Sequence, residues 1–180
     1  EADSLGVEVQ VAGIVTTPDM GFQGLNFGLQ DHTAGTIVFT FSNNQTFGYT
    51  PTIGDSIIVQ GEIDQFNGLT EVIPDTIIFV SSGNPLPTVQ TVTMLDESVE
   101  SELVMLECIW MVDPADWTTG SGSSGFNVPF TNGTDTFTVR VDRDFADLYN
   151  ANPPADSLMN VTGIVGQFDN SSPYLDGYQL

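Results

Sequence analysis

Lysine is absent from this 180-residue chain, arginine occurs twice and histidine once, against 24 aspartates and glutamates, for a formal net charge of −22. Nucleic-acid binding rests on lysine and arginine displacing the counterions of phosphates, so this balance argues against a nucleic-acid partner. Without lysine no phosphate-binding G-x-x-x-x-G-K-[ST] loop can exist. A single histidine, His32, rules out any two-histidine metal motif, and no G-x-S-x-G surrounds a serine to use it for nucleophilic catalysis. The chain reads as a non-enzyme. One cysteine, Cys108, excludes an intramolecular disulfide, and its place in LVMLECIWMV predicts a buried thiol. No apolar run approaches the roughly 20 residues needed to cross a bilayer, and no basic segment precedes an apolar one. Opening on Glu1 suits a processed segment. Only 14% of residues are charged while 40% are hydrophobic, with 12 phenylalanines, so the chain can fill a core and does not read as disordered. Three ordinary origins of the acidity stand side by side: a saline habitat, solubility outside the cell, or carboxylates that bind cations.

What is present is a phrase written twice. GDSIIVQGEIDQFNGLTEV starts at Gly54, and ADSLMNVTGIVGQFDNSSPYLDGYQL starts at Ala155; Gly61 matches Gly163 and Gln65-Phe66 matches Gln167-Phe168, each at an offset of 102 (163 − 61). The repeat divides the chain into residues 1–82, a linker at 83–92 rich in small residues and proline, and residues 93–180. Each half is large enough for a core of its own.

Within the first half, VEVQVAGIV (7–15) alternates like a half-buried strand. LNFGLQ (25–30) and TIVFTF (36–41) form a hairpin, and Ser56–Gly61 another strand. Residues 62–66 and 69–73 pair around Asn67-Gly68, the strongest short hairpin signal, and 77–80 add a separate edge strand. In the second half, 93–102 reads as a short helix or turn, and 103–112 as a strand buried at least partly on both faces. Residues 126–130 and 134–141 form a hairpin, 145–149 a helical turn, and 161–168 with 174–180 the closing strands. Five short strands per half with little helix point to a small barrel or sandwich. The curled first strand, hairpin, connection and second hairpin favour an all-β chain of two tandem five-stranded Greek-key OB-like barrels with short helical connections.

VAGIVTTPDMGFQGLNFGLQDHTAGTIVF, GDSIIVQGEIDQFNGLTEVIP, SSGNPLP, VDPADWTTGSGSSGFNV and VTGIVGQFDNSSPYLDGYQL together resemble the tandem OB-like, nucleic-acid-binding-like domains of bacterial secreted and cell-surface multidomain proteins. The resemblance covers essentially the whole chain and implies an extracellular or cell-surface setting. It departs from single-strand binders, which combine stacking aromatics with a basic groove. Stacking candidates exist in Phe27, Phe39, Phe41, Trp117, Phe126, Phe137 and Tyr174, but Arg140 and Arg143 are the only arginines. Alternation places Phe39 and Phe41 on one strand face, the pattern of core packing.

Three further sets of residues are candidates for function. Asp142, Asp144 and Asp147 cluster in one loop and could ligate calcium through hard oxygens, although they lack the EF-hand spacing. Asp-Ser/Thr-aliphatic triplets at Ser4, Ser56, Thr76 and Ser157 match the O-glycan signal of some secreted bacterial proteins; turn chemistry explains the same residues. Phe22, Phe27, Trp117, Phe126 and Tyr174 are candidate interaction residues. Two functions remain: a structural or interaction module, self-associating into a surface layer or filament or acting as a spacer, with other subunits or neighbouring domains as partners; or an accessory module that presents a glycan or single-stranded nucleic acid to a secreted enzyme.

Overall fold

The computed structural model describes residues 4–155 and 158–180 and is all-β. Five strands of the first half, β1 (Glu8–Val15), β2 (Asn26–Gln30), β3 (Gly35–Phe39), β4 (Ser56–Phe66) and β5 (Leu69–Ser81), form a closed barrel in the order β1-β2-β3-β5-β4. All contacts are antiparallel except β3 to β5, which run parallel at Ile37↔Glu71 and Val38↔Val72. Closure comes from the alternation: every second residue of β1 and β4 turns inward, so Val15, Phe27, Leu29, Val38, Ile57, Val59 and Val72 meet in one buried cluster. Each such side chain contributes about 1.5–3 kcal/mol by leaving water.

Asn67 (φ 52°) and Gly68 (φ 97°) both take left-handed conformations, as the two-residue turn joining β4 to β5 requires. Two bulges interrupt this pair. Gln60 faces Thr76 and Gly61 faces Pro74, leaving Asp75 extra; Ile57 faces Phe79 and Ser56 faces Ser81, leaving Val80 extra. The first bulge lets Pro74, which has no N–H to donate, sit inside a strand. The expected break between 73 and 77 is therefore a bulge in one continuous 13-residue strand.

The second half begins before residue 93, inside the expected linker, because β6 (Gln90–Val92) pairs parallel with β7 (Leu103–Met111). Between them Asp96 caps a single 3-10 turn, Glu97–Val99, by accepting from the Ser98 N–H at 2.9 Å. The remaining elements are β8 (Gly125–Thr131), β9 (Thr136–Asp142), α1 (Ala146–Tyr149), β10 (Met159–Ile164), β11 (Gly166–Gln167) and β12 (Tyr178–Gln179). They form a curled sheet in the order β10-β7-β8-β9-β12-β11, whose two end strands are consecutive in the chain. Between those ends Val165 exchanges backbone bonds with the segment before β7: Ser101 N–H to Val165 O at 2.7 Å and Val165 N–H to Glu102 O at 3.1 Å. A second buried cluster, including Leu106, Ile109, Trp117, Phe126, Val128, Phe130 and Val165, lies inside this curl.

Register extends the repeat well beyond the matched glycines and Gln-Phe pairs. Asn26↔Phe39 recurs as Asn127↔Arg140 and Gln30↔Gly35 as Thr131↔Thr136, all at an offset of 101 (127 − 26). The parallel contact recurs as well, Ile37↔Glu71 becoming Thr138↔Gln179. In β7, Val161↔Leu106 and Met159↔Ile109 enclose one extra residue, a bulge in which Cys108 has φ 54° and its N–H bonds Asn160 Oδ1 at 3.0 Å. The bulge turns the thiol outward, so Cys108 is exposed and not, as expected, buried.

Candidate interaction surfaces

The aromatic candidates separate cleanly. Phe27 is fully buried in the first core, edge-on to Tyr49 at 6.0 Å. Trp117 and Phe126 are buried in the second, 5.5 Å apart and edge-on, and the Trp117 Nε1–H donates to the Ala151 carbonyl at 3.0 Å. These three are core residues rather than surface contacts, a correction with a simple cause: the Gly- and Ser-rich loop carrying Trp117 closes over the segment after α1. Phe22 is 83% exposed and Tyr174 half-buried. Phe41, expected inside beside Phe39, is 71% exposed and meets the Phe39 ring edge-on at 4.5 Å, because β3 ends at Phe39 and strand alternation does not reach residues 40 and 41.

Of the acidic trio, Asp142 Oδ1 accepts the Asp144 N–H at 2.9 Å, Asp144 lies 3.7 Å from the Arg143 guanidinium, and Asp147 is exposed in α1. Burial raises the Asp142 pKa. Among the described residues no group of three or more His, Cys, Asp or Glu is arranged to hold a metal. Ser4 and Thr76 are exposed, Ser56 is half-buried at the start of β4, and Ser157 lies outside the described residues.

Both arginines work internally. Arg140 Nη2 donates to the Ser124 carbonyl at 2.8 Å and Nη1 to Asn127 Oδ1 at 3.0 Å, while Arg143 Nη1 donates to the Ser123 carbonyl at 2.7 Å. They tie the Gly- and Ser-rich loop to the end of β9, and this use of the cations was not visible in the sequence, where serine carbonyls carry no signal.

An open cleft of about 520 Å³ lies between the β2–β3 turn and the Pro85–Thr88 segment, with Gln30, Asp31, His32 and Glu102 on its wall. Bonds from the Thr33 hydroxyl and N–H hold Asp31 below the usual carboxylate range, burial raises Glu102, and the His32 side chain is 91% exposed.

The two halves meet at a junction that no single motif announced. The buried Leu103 N–H donates to Gln30 Oε1 at 2.9 Å, the Thr70 N–H to Glu100 Oε1 at 3.0 Å, and the Asp169 N–H to the Asn67 carbonyl at 2.7 Å. The repeat-related rings Phe66 and Phe168 lie 6.5 Å apart. A Cβ on Gly35 would overlap the Ser101 carbonyl, and one on Gly68 would overlap the Gln167 side chain, so two glycines set how closely the halves approach. Beside the junction Glu71 is buried and its carboxyl is pushed up to about 7 by desolvation, with Asp64 across the strand adding to it.

A last surface is the outer edge of β5. The contact with β3 ends at Val72, and among the described residues no strand pairs with that edge from Asp75 onward. Ile78, Phe79 and Val80 are 44%, 55% and 55% exposed there.

No family model matches the chain, and no curated protein matches it. A solved structure reported under the words "Molecular basis for abrogation of activation of pro-inflammatory cytokines" aligns with 98% of this chain and 88% of its own, at 9% identity and a TM-score of 0.38. That likeness is too loose to carry a fold or a function.

Proposed function

We propose that this chain is a non-catalytic structural and interaction module, built as two tandem OB-like barrels locked end to end. The junction carries the reading: the closing turn of the first barrel, which in a ligand-binding module would be free, is spent on Gln167, Phe168 and Asp169 of the second half. The parallel β3–β5 contact and the order β1-β2-β3-β5-β4 support an OB-type Greek key for the first half. The shared 101-residue register supports a second copy opened between β10 and β11. Such a module serves as a spacer in a larger secreted protein or as a self-associating surface or filament subunit, partnered by other subunits or neighbouring domains. The extracellular or cell-surface setting is carried over from the sequence resemblance. Internal use of both arginines speaks against a phosphate-backbone partner.

The cleft beside His32 favours one other reading, an accessory site for a glycan or short single strand. Titration calorimetry with an oligosaccharide panel and a single-stranded oligonucleotide separates the two. The structural reading expects flat titrations and native mass spectra showing assembly. Saturable binding that is lost in a Glu102→Ala variant would replace it with the accessory role.

A further inference from the structure

We infer that the junction is a pH-gated joint: the two halves part there before either unfolds, and they part more readily as pH rises, because the closed junction holds the Glu71 carboxyl without a cation. The inference rests on the structural reading above and gives its end-to-end lock a release.

The weak place is set by what fills each part of the molecule. Each half has a buried apolar cluster of its own, and the two clusters share no residue. Between them the junction is held by single hydrogen bonds, donated by the Leu103, Thr70 and Asp169 N–H groups, and by the rings of Phe66 and Phe168, each more than half exposed. Three buried oxygens at these contacts, Glu100 Oε2, Ser101 Oγ and Gln167 Oε1, have no hydrogen-bond partner among the described residues, so closing the junction strips their water and returns nothing. Contacts with little buried apolar surface open at lower cost than the cores they join.

Glu71 couples that opening to pH. Val38 and Val72 enter the first core, so their neighbours Ile37 and Glu71, partners across the parallel β3–β5 contact, stand on the outer face of the barrel. Both are buried there, on the side where Ser101 abuts Gly35 and Glu100 accepts from Thr70. A buried carboxylate needs a cation, and none is within reach. Asp64 faces Glu71 from β4, and β3 presents only Gly35, Ile37 and Phe39 on that face. The second half brings Glu100, with Glu97 repelling it, and Asp169 at the Asn67 turn. The chain has no lysine, both arginines are committed to the Ser123–Ser124 loop, and the His32 side chain is exposed beside the cleft. Closed, the junction keeps Glu71 protonated, in accord with its carboxyl standing at about 7; open, water solvates the carboxylate, which then titrates near its ordinary 4.5. Protonation therefore favours closure, fully below about 4.5, and that support is lost as pH rises through about 7.

Native-state hydrogen exchange of the full chain at pH 5 and pH 8, read amide by amide and corrected for intrinsic rates, tests this. The Leu103, Thr70 and Asp169 amides are expected to lose protection roughly 50- to 100-fold at pH 8, while the β1–β4 ladder stays better protected than they are at both pH values. Glu71→Gln, neutral throughout, is expected to hold the three amides at their acid-side protection. Should that variant fail to fold, Asp64→Asn, at an exposed position, removes the carboxylate facing Glu71 and is expected to shrink the fall. Asp116→Asn, exposed and away from the junction, leaves the fall unchanged. Equal protection at the two pH values overturns the joint, as does a fall that persists in Glu71→Gln or is untouched by Asp64→Asn. Exchange of the three amides in step with the ladder overturns it too, by placing the opening in global unfolding. A junction shut at both pH values leaves a rigid tandem module, so the structural reading survives that failure; junction amides unprotected at both values overturn the lock and the joint together.

Discussion

Glu71 is the residue most out of place in a chain this acidic. Its folded pKa of about 7 stands above the ordinary 4.5, so between those values the folded state holds a proton that the unfolded chain releases. Stability is then fully present below about 4.5 and declines as pH rises to about 7, by at most about 3 kcal/mol. Glu71→Gln removes that slope: urea midpoints measured across this range are expected to match the parent at the acid end and exceed it at the neutral end. An unchanged slope would assign the titration to another group. Nothing in the sequence distinguished Glu71 from its 23 acidic companions, because the burial comes from the parallel β3 contact, a pairing between segments far apart in the chain. Trp117 misled for the related reason that loop composition describes the loop, not what the loop covers.

At the scale of elements, hairpins were the most legible feature. Asn67-Gly68 and the alternation of β1 and β4 predict their own geometry, since turn conformation and strand period are local properties. Bulges were not legible: Pro74 reads as a break, and only the partner strand shows that one extra residue absorbs it. The two glycines that revealed the repeat also prove unequal. A Cβ on Gly61 would overlap the Ile73 carbonyl, a rigid backbone group, whereas on Gly163 it would meet the Leu180 Cγ at 3.1 Å, an atom that can give way. Gly61→Ala is expected to cost about 3 kcal/mol and Gly163→Ala less than about 1 kcal/mol, read from chemical denaturation. Equal costs would mean that the two positions, alike in sequence, are alike in packing.

Across the whole molecule, the junction decides whether the chain behaves as one body. Gln30→Ala leaves the Leu103 N–H buried without its acceptor, at a cost of about 1–3 kcal/mol. Calorimetry is expected to show the single transition of the parent broadening or splitting into two, and an unaltered single transition would mean that the halves are coupled by other contacts. The arginine clamps carry one more consequence, in proteolysis. Trypsin cuts only after lysine or arginine, so this chain offers two sites, Arg140 within β9 and Arg143 just after it, both with side chains engaged on the Ser123–Ser124 loop. Folded protein should resist digestion, and each molecule that opens there should yield one large fragment, residues 1–140, and one of 37 residues, 144–180, with the tripeptide 141–143 released between them. A protease that leaves most acidic proteins in many pieces thus becomes a counter of single opening events in this one.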